Sequence, residues 1–176
     1  MAKFTKEEFK KLHPETLALS HGFDPWRSEG AVKPPIFLTS TFAFKSAAEG
    51  KKFFAWLHGH DTPLNKDEMG LVYSRINNPN LEIFEDRVAV WEEMERALSF
   101  SSGMAAISST LLALHNPGDE IIACMPVYGG TDVFLHEFMT RFGITVKSVA
   151  AGYSATKEIE KIISSKTRSI YVESPA

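Results

Sequence analysis

The residue types that could do chemistry fall at the ends of short apolar runs. Ser101-Ser102-Gly103-Met104 follows the strand-like run Ala97–Phe100 and opens a helix of small and aliphatic residues. A turn of that kind leaves backbone N–H groups unpaired and aimed at one point. The helix start adds a partial positive charge of roughly half a unit. Together they suit an anion, a phosphate above all. A second block, Tyr128-Gly129-Gly130-Thr131, offers a flat aromatic face, and its two glycines leave room for a ring to approach the backbone. A third, Glu173-Ser174-Pro175, closes the last apolar run. A phosphate beside a planar ring suggests a phosphorylated heteroaromatic cofactor. Pyridoxal phosphate fits better than a dinucleotide, because neither the G-x-G-x-x-G fingerprint nor the P-loop lysine pattern occurs. Taken singly, each block has a plainer reading. A Ser-Ser-Gly turn is usually only a turn, a lone Tyr128 is a core or rim aromatic, and a lone Arg75 is solvated.

The elements around these blocks must bring them together. From Ala97 onward the pattern alternates, with strands expected near 97–100, 119–124, 144–149 and 169–173. Helices are expected near 103–115, 130–141 and 155–164. Asn116-Pro117-Gly118-Asp119 stops the first of these helices and Gly143 the second. This rhythm predicts an α/β fold with a parallel sheet and right-handed crossovers. Ligands of such sheets sit at the carboxyl ends of the strands, so the three blocks would line one rim. Upstream, Thr5 with Glu8 has capping-box spacing for a helix over 5–11. Pro14 suits the first turn of a short helix through about Ser20, ended by Gly22. Residues 31–44 read as an extended apolar arm, with a neighbouring subunit as one candidate for its cover. Ser46 and Glu49 form a second capping box, and 58–70 reads as a polar loop. Asn78 caps a helix over 80–95, whose Leu81, Phe84, Val88, Trp91 and Met94 keep an amphipathic spacing. Trp56 and Trp91 read as core.

Composition bounds the rest. The 176 residues are 44% hydrophobic and 23% charged, with net charge -3 and a pI near 6.1. No basic stripe supports a nucleic-acid partner. No apolar run approaches the ~20 residues of a membrane span, and no apolar signal core opens the chain. Cytoplasm is the expected compartment. Cys124 is the only cysteine, so no internal disulfide forms, and it reads as buried and inert. His58 and His60 lack a third ligand and read as solvated rather than metal-binding. The last residues follow directly on a β-prone run, so the chain is expected to be a fragment of a longer one.

Five blocks in this order resemble one family. They are Tyr73-Ser74-Arg75-x-x-Asn78-Pro79, Ser102-Gly103-Met104-Ala105-Ala106, Asn116-Pro117-Gly118-Asp119-Glu120, Tyr128-Gly129-Gly130-Thr131 and Glu173-Ser174-Pro175-Ala176. They look like the N-terminal part of the Cys/Met-metabolism PLP-dependent enzymes, which include cystathionine γ-synthase, cystathionine γ-lyase, methionine γ-lyase and O-acylhomoserine sulfhydrylase. The resemblance runs from about His13 onward. It implies a PLP-dependent aminotransferase-like (fold type I) domain begun at 73–176, preceded by an arm region, 1–72, that makes dimer contacts. It also implies roles. Ser102, Gly103 and Met104 would hold the cofactor phosphate, and Tyr128 would stack on the pyridine ring as the catalytic residue within these positions. Tyr73 and Arg75 would reach the phosphate from the neighbouring subunit, in a homodimer that pairs into a homotetramer.

The activity implied is γ-elimination or γ-replacement on cystathionine, an O-acylhomoserine or a methionine-type substrate. The family's imine-forming lysine and its pyridine-facing aspartate lie downstream of the Glu-Ser-Pro block. These 176 residues alone are therefore expected to be inactive. One departure is Gly130, where methionine γ-lyases usually carry Cys, which leans against a dedicated methionine γ-lyase. A second is the stretch from about Phe54 to Gly70, longer than the usual loop. An alternative from a different class is a non-catalytic binding or assembly module that keeps the cradle without the lysine.

Overall fold

Aliphatic runs separated by helix-length spacers form a parallel sheet in the second of two units into which the chain divides, Met1–Ser99 and Phe100–Ala176. The computed structural model describes residues 11–60 and 70–175. The expected helix over 5–11 and most of the expected loop over 58–70 lie outside the described residues.

In the second unit, α4 spans Gly103–Leu114 and β1 spans Glu120–Met125. A continuous helical run follows, with α5 over Gly129–Val133, one π turn over Phe134–Phe138 and a tight 3-10 turn over Met139–Phe142. β2 (Thr145–Ala150), α6 (Ala155–Ile162) and β3 (Thr167–Tyr171) complete the alternation. The sheet order is β2-β1-β3 and both pairings are parallel. β1 is central, so both its faces are covered. Ile121 and Ala123 join Leu111, Leu135, Met139 and Ile144 on one face. Ile122 and Cys124 face the other way, with Val149, Ile159 and Ile162. This two-residue alternation is what a strand buried on both sides requires.

The stops fall where glycine chemistry puts them. Gly143 takes φ +76° and its N–H closes onto Met139 and Thr140 carbonyls. Gly118 takes φ +97° and donates to the Gly143 carbonyl (2.8 Å). Two histidines then tie helices to strands. His115, buried at the end of α4, contacts the Leu111 carbonyl (2.7 Å) through Nδ1 and Ser169 Oγ (2.9 Å) on β3 through Nε2. His136 contacts Asp132 Oδ1 (2.8 Å) through Nδ1 and Ser148 Oγ (2.9 Å) on β2 through Nε2.

At the amino end of β1, Glu120 Oε2 accepts from Lys147 Nζ (2.7 Å) and Ser164 Oγ (2.6 Å). The Lys147 ammonium and the Ser164 hydroxyl hold this carboxyl below its ordinary range. A depressed folded value stabilises the fold above the unfolded carboxyl pKa of about 4.3 and is lost as pH falls through the folded value. Glu120→Gln is therefore expected to lower stability at neutral pH and to flatten the acid limb of the stability curve below about pH 4.5. Urea unfolding across that pH range measures both.

In the first unit, α1 spans Pro14–Ser20, a 3-10 turn spans Pro25–Arg27, α2 spans Ala47–Leu57 and α3 spans Pro79–Trp91. Ser46 Oγ caps α2 by accepting the Glu49 N–H (3.2 Å). Glu49 reaches back one residue further than a capping box would, to the Lys45 N–H (2.6 Å). Phe44, Phe53, Phe54 and Trp56 make a tilted aromatic cluster with centroids 5.6–6.1 Å apart. Asn78 caps α3 at the Asn80 N–H (2.9 Å).

The arm is extended, but its backbone is held within its own chain. Asn80 Oδ1 accepts the Phe37 N–H (2.8 Å) and Asn80 Nδ2 donates to the Pro35 carbonyl (2.7 Å). Asn78 Nδ2 donates to the Phe37 carbonyl (3.3 Å), and Phe42 N–H bonds the Val72 carbonyl (3.0 Å). Polar groups anchor the arm while Val32, Ile36 and Leu38 point outward, 79–95% exposed.

Three expectations change. Residues 97–100 form no strand, because the Ser99 N–H and hydroxyl are both taken by Glu85 Oε1 (2.8 and 2.7 Å) rather than by a ladder. The buried face of α3 is Ile83 and Ala89, whereas Leu81, Phe84, Trp91 and Met94 are 45–65% exposed. Trp91 is thus not core; its indole N–H donates to the Pro14 carbonyl (3.1 Å). Beside it, Arg87 donates to the Leu19 and His21 carbonyls at the C-terminal end of α1 (3.2 and 3.0 Å), where a cation suits the helix dipole. The helix expected over 130–141 is not uniform either, since it passes from α5 through a π turn over Phe134–Phe138 into a 3-10 turn over Met139–Phe142, with Leu135 and Met139 both buried.

Candidate active site at the carboxyl ends of the strands

The turn before α4 has the form of an anion cradle. Ser102, extended at φ -158° and ψ 161°, caps the helix with its hydroxyl oxygen on the Ala105 N–H (3.1 Å). Its carbonyl accepts the Ala106 N–H (3.1 Å), the first intrahelical bond. The Gly103 and Met104 N–H groups thus precede every intrahelical acceptor, and no acceptor for them occurs among the described residues. Gly103 faces open space, with no atom within 4 Å of where a Cβ would stand. Two free amides, a helix start and an uncluttered approach fit a phosphate group.

Tyr128 lies at the same rim. It caps α5 from the amino side, and its ring crosses Gly130. A Cβ on Gly130 would stand 2.6 Å from Tyr128 Cε1 and 3.3 Å from Met104 Sδ. The ring and the cradle residue Met104 therefore converge on one glycine. The phenol is 64% exposed and has no hydrogen-bond partner among the described residues. Gly130→Ala is accordingly expected to push the ring off its seat. In the full-length protein the displaced ring should weaken binding of pyridoxal phosphate, with little change in folding stability because the exposed ring can swing clear of the new methyl group. An absorbance titration with the cofactor reads this out.

Glu173, just beyond β3, joins these parts. Its Oε2 accepts the Tyr128 N–H (2.6 Å), and its Oε1 accepts the Thr131 hydroxyl (3.0 Å) and the Tyr171 hydroxyl (2.8 Å). Thr131 is fully buried, and its Oγ1 lies 3.9 Å from Met104 Sδ. The Tyr128 N–H, then the two hydroxyls, hold the Glu173 carboxyl below its ordinary range, against the opposing pull of desolvation. Partial burial, then the bond to Glu173, raises the Tyr171 phenol above its ordinary range. Glu173 is thus an ionised acceptor of three bonds at neutral pH. In the sequence Glu173 stands within the Glu173-Ser174-Pro175 block with no expected site role. Its place just after a strand parallel to β1 puts it at the rim shared with the turn after β1, but does not by itself choose its partners.

The other two expected site residues belong to the first unit. Tyr73 and Arg75 sit on the turn before α3, and the Arg75 guanidinium lies over the Tyr73 ring, 5.9 Å from its centroid. Both are exposed, and Arg75 has no carboxylate partner among the described residues. Tyr73 is bridged to Thr41 of the arm. A pre-oriented, unpaired guanidinium can meet an anion without first breaking an internal ion pair.

An apolar cleft of about 350 Å³ lies beside the cradle, lined by Met104, Ala105, Ser108, Gly130, Val133, Phe134 and Phe138. Its one hydroxyl, Ser108, donates to the Met104 carbonyl (2.7 Å), so it presents no free polar group for chemistry. Among the described residues no three His, Cys, Asp or Glu side chains cluster as metal ligands, and no helix is long and apolar enough to cross a membrane.

Comparison with known proteins places this arrangement. An L-methionine γ-lyase from Pseudomonas deceptionensis is 39% identical over 170 residues, covering 97% of this chain and 40% of that protein. A sulfhydrylase, FUB7, from Fusarium oxysporum is 36% identical over 160 residues, covering 91% and 34%. Among solved structures, an O-acetylhomoserine (thiol)-lyase from Campylobacter jejuni, which carries a pyridoxyl-lysine phosphate adduct, matches 93% of this chain and 37% of its own at TM-score 0.78 and 25% identity. The metB protein of Corynebacterium glutamicum matches 96% and 39% at TM-score 0.77 and 27% identity. The chain thus spans about a third to two fifths of the length of these relatives. Residues 15–176 match the Cys/Met metabolism PLP-dependent enzymes as a family, and the chain belongs to that family.

Proposed function

We propose that this chain supplies the phosphate cradle and the ring-facing tyrosine of a pyridoxal-phosphate enzyme acting on sulfur amino acids by γ-elimination or γ-replacement. One observation supports this reading above others: the Tyr128 ring meets the Met104 side chain at Gly130, and the Gly103 and Met104 amides have no acceptor among the described residues. Pyridoxal phosphate, when bound, draws electrons from an attached amino acid and so weakens the bonds around its Cα. The residues here have simpler tasks. Gly103 and Met104 would donate to the phosphate, with Ser102 shaping the turn. Tyr128 would press on the ring, and its unpartnered phenol oxygen could take or give a proton on the substrate side. No lysine here matches the position of the imine-forming lysine, which we place further along the full-length protein.

Tyr73 and Arg75 would reach the phosphate of a neighbouring subunit, making the site a property of a homodimer, with dimers pairing into a tetramer. Residues 1–72 would supply subunit contacts. The outward Val32, Ile36 and Leu38 are apolar surface suited to that use. A cytoplasmic location completes the proposal.

Elimination and replacement share their early steps and differ in whether a second substrate enters. Release of 2-oxobutanoate from methionine, cystathionine and O-acylhomoserines, with and without cysteine, separates them. Release from at least one of these supports the reading, and methionine alone would mark a methionine γ-lyase. Full-length enzyme that is saturated with cofactor yet inert on all of them would overturn it.

A further inference from the structure

We propose that Glu173 is a positioning residue: it straps the main chain of Tyr128 and so sets the pose of the Tyr128 ring toward the cofactor. The inference rests on the reading of this rim as a pyridoxal-phosphate site. Tyr128 lies at a loop–helix junction with an exposed ring and a phenol that has no partner among the described residues. Its carbonyl accepts the Asp132 N–H (2.9 Å), the first bond of α5, and two further restraints act on it. One is the seat over Gly130. The other is the N–H bond to Glu173 Oε2 at 2.6 Å, a charge-assisted bond and a strong one of its kind.

The strap is anchored at its far end. Glu173 Oε1 holds the hydroxyls of fully buried Thr131 and of Tyr171, whose ring packs on the sheet core. Thr131 lies on the first turn of α5 and Tyr171 ends β3. One carboxylate therefore couples the end of β3, the start of α5 and the Tyr128 amide. Remove it, and the amide loses its acceptor while the ring keeps only the contact with a glycine. Glutamine should replace it well. Its carbonyl oxygen can accept the Tyr128 N–H, and its amide can donate to the two hydroxyls after they rotate. Aspartate should not, being one methylene too short to serve both sides.

The test uses the full-length protein as wild type, Glu173→Ala, Glu173→Gln and Glu173→Asp, with pyridoxal 5'-phosphate as the probe. Affinity is taken from absorbance titration, ring pose from visible circular dichroism per bound cofactor, and the strap itself from amide exchange across 126–131 in cofactor-free protein. Alanine is expected to weaken binding about tenfold, in line with the loss of a charge-assisted bond. It should also reduce the dichroism at saturation and speed the exchange, while glutamine stays near wild type in all three. A purely structural role would lower the melting temperature of both forms and leave the dichroism per bound cofactor unchanged. That result, or unchanged affinity in Glu173→Ala, overturns the proposal. Should Glu173→Ala fail to fold, Glu173→Asp decides: reduced dichroism and affinity support the strap, and wild-type values overturn it. If wild-type protein takes up no cofactor, the functional reading fails. The strap then stands or falls on exchange alone, with faster exchange in the variant supporting it and unchanged exchange overturning it.

Discussion

Arg75→Ala is expected to raise the dissociation constant for pyridoxal phosphate about tenfold to a hundredfold in the full-length protein. The figure follows from a hydrogen bond to a charged group, worth about 1.5–3 kcal/mol. An exposed guanidinium that merely decorates the surface would contribute under about 1 kcal/mol, a change of less than about fivefold. Equilibrium titration separates the two. The geometry favours the larger figure. Arg75 is held over the Tyr73 ring and has no internal carboxylate among the described residues to compete with a phosphate. Arg75→Lys should restore only part of the loss, because a lysine carries the charge without the planar fork. Mixing subunits tests the reach across the dimer. A hybrid of Arg75→Ala and Tyr128→Ala protomers regains one intact site if Arg75 serves the neighbour, and none if it serves its own chain.

Leu135→Ala should be among the most damaging substitutions for folding, costing about 3–5 kcal/mol at a side chain with no exposed surface. Leu135 packs with Leu111, Ile121, Ala123, Met139 and Ile144, so its loss opens a cavity under the central strand. It sits in the π turn, four residues before Met139, and both side chains are buried on the core-facing side. The same run begins at Gly129 and carries the seat of the Tyr128 ring. Lower stability and weaker cofactor binding should therefore appear together, and saturating cofactor should recover part of the loss by mass action. The contrast is Leu98→Ala, at a residue 71% exposed, where a change within about 0.5 kcal/mol is expected. Guanidinium unfolding midpoints of the two variants give the comparison.

How legible the molecule was depends on the range of the forces involved. Local chemistry was readable. The Asn78 and Ser102 caps, the Gly118 and Gly143 stops and the parallel alternation all follow from single residues or short periods. The meeting of Tyr128 and Glu173 follows from parallel β1 and β3 ending at one rim, whereas the Ser102–Met104 turn follows no strand and comes to Tyr128 through the Met104 side chain at Gly130. What escaped depends on distant partners. Residues 97–100 carry a strand-like composition, yet Glu85, fourteen residues before Ser99, takes the amide a ladder would need. The α3 spacing has an apolar stripe, but burial chose Ile83 and Ala89, since which face is covered is decided by α1 and not by periodicity. Glu173 stood in a recognised block, but its three partners lie 2, 42 and 45 residues away. No spacing rule on a single chain reveals such a convergence.

The account depends most on where the phosphate goes. A crystal structure of the full-length protein with pyridoxal phosphate bound measures this directly. The expected result is a phosphate oxygen about 2.7–3.1 Å from the Gly103 and Met104 nitrogens, with the pyridine ring lying against Tyr128. A phosphate seated elsewhere, with those two amides facing solvent and the Tyr128 ring turned away from the cofactor, would contradict it.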